Sequence, residues 1–129
     1  AQSPFHGTAH IWLEEAMNGA ERVGLPWVTL TSFQRIITHP RATTNPLTAQ
    51  EAWSHITDWL DADQTWVPVS GSRHRDILGA LLTEGDLRGN LVTDAHLAAL
   101  AIEYGTSICS FDADFARFDG LHWINPARR

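Results

Sequence analysis

The sequence predicts an α/β domain built on a mainly parallel sheet. Short apolar runs alternate with amphipathic stretches of about 10–15 residues, the order expected of βα units. Most of the amphipathic stretches carry a recognisable start or stop signal. The length of 129 residues fits one domain, 1–129, with a core large enough to need no staples.

The elements follow in order. Ser3-Pro4 reads as an N-cap with proline at the first helical position, and Phe5, Ala9, Trp12, Leu13, Ala16 and Met17 keep helical spacing up to Asn18-Gly19. Residues 23–27 form a short apolar run that enters a second helix at about Pro26. Leu30, Phe33, Ile36 and Ile37 line that helix, which must end before Pro40. Residues 40–47 are a loop. Thr48-Ala-Gln-Glu51 is a capping box opening a third helix, with Ala52, Ile56, Trp59 and Leu60 on one face. Residues 65–69 read as a strand, with Pro68 placing it at an edge or an end. Ser72 is the expected cap of a fourth helix carrying Ile77, Leu78, Leu81 and Leu82, stopped near Gly85. Thr93 is the expected cap of a fifth, over 94–104, with Ala98, Ala101 and Ile102 inward and Gly105 as its stop. Strands at 106–110 and 121–124 complete the pattern.

Composition narrows the chemistry. All nine basic residues are arginines, and there is no lysine. That excludes a Schiff base, a P-loop or a kinase-type phosphate lysine. The net charge of −6 argues against a protein that holds nucleic acid mainly by neutralising phosphates. It leaves room for an enzyme that reaches a phosphate through a metal ion. The single cysteine, Cys109, excludes a disulfide framework and an all-cysteine zinc site. No apolar run approaches the ~20 residues of a membrane span, so a cytoplasmic protein without a membrane partner is expected.

Ligands of a parallel sheet bind beyond the carboxyl ends of its strands, where helix starts also lie. Asp112 follows the strand at 106–110, Asp114 stands two residues on, and Asp94 opens the helix just before that strand. Three convergent carboxylates repel one another, and a hard divalent cation, Mg²⁺ or Mn²⁺, removes the conflict. The plainer alternatives stay open. One is Asp94 as a complement to the helix dipole, the other Asp112 as the cap of a short helix. His6, His10 and Glu14 share a helix face but Gly7 replaces a zincin glutamate, so solvated surface is expected there. His96 is expected to be structural, Cys109 to be core, and the six tryptophans to be core or interface rather than base-stacking platforms.

Arg88-Gly-Asn-Leu-Val-Thr-Asp-Ala-His-Leu-Ala-Ala-Leu-Ala101, followed by Ser110-Phe-Asp-Ala-Asp-Phe-Ala-Arg-Phe118, resembles the C-terminal half of PIN-domain ribonucleases of the VapC toxin type. Gly24-Leu-Pro-Trp27, Phe33-Gln-Arg-Ile36, Thr38-His-Pro-Arg41 and Leu121-His-Trp-Ile-Asn-Pro126 extend the resemblance along the chain. It implies a three-layer α/β/α fold and an Mg²⁺- or Mn²⁺-dependent endoribonuclease. By motif, Asp94, Asp112 and Asp114 match the catalytic, metal-binding acids, while Thr93, Asn90 and Arg35 match supporting positions. A homodimer and a neutralising antitoxin are implied by the resemblance alone. The family opens with a strand bearing a further metal-ligating aspartate, which would lie ahead of Ala1, so the first strand is expected to be absent here and the 129 residues by themselves are expected to bind metal weakly and cleave little or no RNA. Ser32 stands where many members carry a glutamate. The alternative reading is a catalytically dead PIN fold that only sequesters an antitoxin.

Overall fold

The structure, a computed structural model, describes residues 22–41, 44–110 and 112–125. The helix expected over 3–17, with His6, His10 and Glu14, lies outside the described residues. The chain divides into two compact units, at Pro68 and Val69.

In the N-terminal unit, β1 (Val23–Gly24) leads into α1 (Trp27–Thr38); α2 (Ala49–Asp61) and β2 (Thr65–Trp66) follow. The two strands pair in parallel, Val23 with Thr65 and Gly24 with Trp66. Pro26 is the N-cap of α1, and its carbonyl accepts from Thr29 and Leu30. The helix stops at Thr38, before Pro40. The Thr48 capping box is present: the Thr48 hydroxyl accepts from Glu51 N–H and the Glu51 carboxylate from Thr48 N–H, at 3.1 and 2.9 Å. Leu25, Leu30, Ile56 and Trp59 form the core of this unit, with Phe33 edge-on to Trp59 at 4.9 Å. The strand expected over 65–69 ends at Trp66. Both backbone groups of Val69 bond instead to the Tyr104 hydroxyl.

In the C-terminal unit, α3 (His74–Glu84) and α4 (Leu91–Tyr104) precede β3 (Ser107–Cys109), a 3₁₀ helix (Ala113–Arg117) and β4 (His122–Ile124). β3 and β4 are parallel, with Ser107, Ile108 and Cys109 opposite His122, Trp123 and Ile124. Ala95 and Ala98, fully buried on α4, meet Phe115 and Phe118. Small residues on the helix let the aromatic rings of the 3₁₀ segment come close. Leu78, Leu81 and Leu82 of α3 close over this cluster. Gly105 ends α4 at φ 67°, a left-handed conformation that suits glycine.

Two expected caps are corrected. Ser72 makes no cap for α3. The Glu103 carboxylate, from α4, accepts from the N–H groups of Gly71 and Arg73, both at 3.0 Å. A charged acceptor with two oxygens satisfies two donors at once, more than one serine hydroxyl can do. Thr93 likewise caps nothing. Helix α4 starts earlier, at Leu91, because the turn at 88–90 supplies its first acceptors: Leu91 N–H bonds Arg88 and Val92 N–H bonds Gly89. Cys109, expected in the core, is half-buried.

Candidate metal centre

Asp94 lies in the first turn of α4. It is half-buried, because Ala95 beside it is fully inside the core. Asp112 and Asp114 come from the segment that leaves β3. That segment is fixed at several points. The Ser110 hydroxyl accepts from Asp112 N–H at 3.1 Å, and the Ser110 carbonyl accepts from the Trp123 indole N–H at 2.9 Å. Asp112 Oδ1 accepts from Asp114 N–H at 2.9 Å, making Asp112 the N-cap of the 3₁₀ helix. Phe115 then buries its ring, and the acids on either side of Ala113 stay exposed.

The outcome is a cluster. One oxygen from each of Asp94, Asp112 and Asp114 lies within 4.8 Å of the others. The capping role and convergence coexist at Asp112: a carboxylate has two oxygens, and the cap uses one. Partial burial, followed by the charges of Asp112 and Asp114, raises the Asp94 carboxyl above its ordinary value of 3.8. Arg117 opposes that rise. Its guanidinium stands 3.7 Å from Asp114, one 3₁₀ turn along. Asp94 has no hydrogen-bond partner among the described residues. Half-buried, unpartnered and facing two like charges, it is in a setting that a divalent cation would relieve. The cluster holds oxygen donors alone, a set that suits a hard ion such as Mg²⁺ or Mn²⁺ rather than zinc.

The other expected site residues fall as follows. Thr93 and Asn90 are exposed at the start of α4, upstream of Asp94. Arg35 belongs to the N-terminal unit, in the last turn of α1. Ser32 is half-buried and returns its hydroxyl to the Val28 carbonyl at 2.7 Å. His96, expected to be structural, has a partner within the fold: its Nδ1 lies 3.0 Å from Nε2 of the buried His74. Burial, then His74, hold the His96 imidazole below its ordinary value.

Sequence reasoning missed Arg117 and Glu103. The i, i+3 spacing of Asp114 and Arg117 is legible, but only the 3₁₀ helix turns it into an ion pair. No local signal marks Glu103, whose partners lie some thirty residues away.

Comparison with known proteins shows the family. The PIN domain family matches residues 1–121. Ribonuclease VapC37 of Mycobacterium tuberculosis is 43% identical over 124 residues, covering 96% of this chain and 86% of that protein. Ribonuclease VapC33 of the same species is 39% identical over 125 residues, covering 97% and 87%. VapC ribonuclease Mb2897 of Mycobacterium bovis is 38% identical over 114 residues, covering 88% and 78%. A crystal structure of VapBC2 from Rickettsia felis bound to a DNA fragment from their promoter matches with a TM-score of 0.66. It covers 92% of this chain and 85% of that one at 16% identity, and so speaks to the fold alone. The chain belongs to the PIN-domain family and, within it, to the VapC-type ribonucleases.

Proposed function

We propose that this chain, acting as a single PIN domain over 1–129, is a metal-dependent endoribonuclease toxin held in check by a cognate antitoxin. One observation carries the reading: three carboxylates from a helix start and a strand end converge within 4.8 Å, in a chain that matches VapC ribonucleases along almost its whole length. Asp94, Asp112 and Asp114 are the proposed ligands of Mg²⁺ or Mn²⁺. Such an ion, when bound, supplies a Lewis acid for the scissile phosphate and acidifies a water. Asp94, half-buried, carries the charge least screened by solvent. Asp112 holds one oxygen in its cap and keeps the other for the ion. Asn90 and Thr93, at the start of the same helix, are supporting positions. The antitoxin is carried over from the resemblance to VapC-type toxins. A homodimer, a cytoplasmic location and no membrane partner complete the proposal; no helix among the described residues is long and apolar enough to cross a membrane.

The test is cleavage of RNA by the purified protein with Mg²⁺, with Mn²⁺ and with EDTA. Cleavage should require the metal, and Asp94→Asn should remove it. Full cleavage in EDTA, or by Asp94→Asn, would overturn the site.

A further inference from the structure

The N-terminal unit carries a feature that the three carboxylates do not account for. Of the tryptophans in described segments, Trp59 is buried and Trp66 and Trp123 are half-buried. Trp27 and Trp53 remain 46% and 47% exposed. Burying such a ring is worth a great deal, so two left half out on neighbouring helices ask for an explanation. Their centroids are 6.3 Å apart and their planes only 14° from parallel. They line a groove of about 210 Å³ together with Thr31, Gln34 and Arg35. Arg35 is exposed and makes no ion pair among the described residues. Gln34 donates from Nε2 to the Ala49 carbonyl at 3.0 Å, while its Oε1 is buried with no donor.

These groups suit one kind of occupant. Near-parallel rings offer π faces that a further planar ring can continue. An exposed guanidinium beside them, with no ion pair among the described residues, suits a phosphate. A single-stranded nucleic acid presents both within one nucleotide. An acidic chain without lysine has little long-range attraction to offer RNA, so stacking must contribute a larger share of affinity. We propose that the groove lined by Trp27, Trp53 and Arg35 binds single-stranded RNA, with a base stacked on the indoles and a neighbouring phosphate on the guanidinium. The inference rests on the RNA-cleaving reading for its biological sense, not for its geometry. It also revises the expectation that no tryptophan here serves as a stacking platform.

The experiment uses the full chain with Asp94→Asn, so that RNA is not consumed, and a fluorescein-labelled single-stranded RNA oligonucleotide. Fluorescence anisotropy gives affinity, and indole quenching reports on the two rings. Trp27→Ala or Trp53→Ala should weaken binding by about tenfold, with Phe at either position restoring most of it. Arg35→Gln should weaken binding and flatten its salt dependence. An abasic strand of equal length should bind weakly and ignore the tryptophan changes while still responding to Arg35→Gln. Thermal melts establish that each variant is folded. Unchanged RNA affinity in folded Trp27→Ala and Trp53→Ala overturns the inference. So does a loss of self-association or of antitoxin binding in those variants with RNA binding intact, which would assign the groove to protein. If the unsubstituted protein cleaves no RNA under any metal, the functional reading fails instead, and the anisotropy result still decides the groove.

Discussion

Replacing Asp94 by asparagine should stabilise the metal-free protein while abolishing its chemistry. Two unit charges 4.8 Å apart repel by about 0.9 kcal/mol at the dielectric of water, and Asp112 and Asp114 are exposed enough to keep the value near that limit. Asp94 faces both. Against this repulsion stand its attraction to Arg117 and its favourable place near a helix N-terminus, each about 0.5 kcal/mol. The charge terms leave a penalty of about 0.8 kcal/mol, to which the partial burial of Asp94, the leading cause of its raised pKa, adds in the same sense; the amide removes both, and the charge part alone corresponds to a rise in Tm of about 2–5 °C for a domain of this size. The pH dependence has a fixed sign. The folded-state pKa of Asp94 is raised above 3.8, so the penalty is present at neutral pH and disappears as pH falls below that value. Salt should cut the difference by about half at physiological ionic strength. The assay is calorimetry of both proteins in EDTA at low salt across pH 3–8. Mg²⁺ at ten times its Kd should then add about 1.4 kcal/mol to the original protein and much less to the variant. An equal or lower Tm for Asp94→Asn at pH 7 in EDTA would refute the claim that these carboxylates strain one another.

Other perturbations separate charge from capping and packing. Asp112→Asn keeps an acceptor for Asp114 N–H, so Tm should hold within about 1 °C while metal-dependent cleavage drops by about a hundredfold or more, read in parallel melts and RNA assays. In Gly71→Ala, the new Cβ would press directly on the Glu103 carboxylate; displacing it frees the Gly71 and Arg73 N–H groups and should cost about 1–2 kcal/mol in denaturant unfolding. His96, held below its ordinary 6.5, binds a proton more readily when unfolded. Stability should therefore fall as pH drops below about 6.5, and His96→Gln should flatten that part of the profile. Leu30→Ala, at a position 1% exposed, should cost about 2–5 kcal/mol by equilibrium unfolding.

Much of this molecule was legible in its residue order. Helical periodicity, Pro40, Gly85 and Gly105 bounded the helices, and Thr48-Ala-Gln-Glu51 opened α2 as a capping box. These signals are local: a cap or a stop depends on neighbours within a turn, and the chain carries that information in its order. The three acids could also be named from the sequence, because strand ends and helix starts gather at one rim in parallel α/β folds.

What needed the tertiary structure was every property that depends on residues distant in sequence. Glu103 replaces Ser72 as the acceptor for the residues leading into α3 because folding brings a carboxylate some thirty residues away to two backbone donors. The earlier start of α4 follows from where the turn at 88–90 points its carbonyls. Trp27 and Trp53 share the sequence character of Trp59, yet only Trp59 is buried, since burial is set by what packs on a face. The sequence by itself determined which carboxylates are available. Only the folded chain decided that they stand within 4.8 Å, because that distance is fixed by the buried contacts of Ala95 and Ala98 with Phe115 and Phe118.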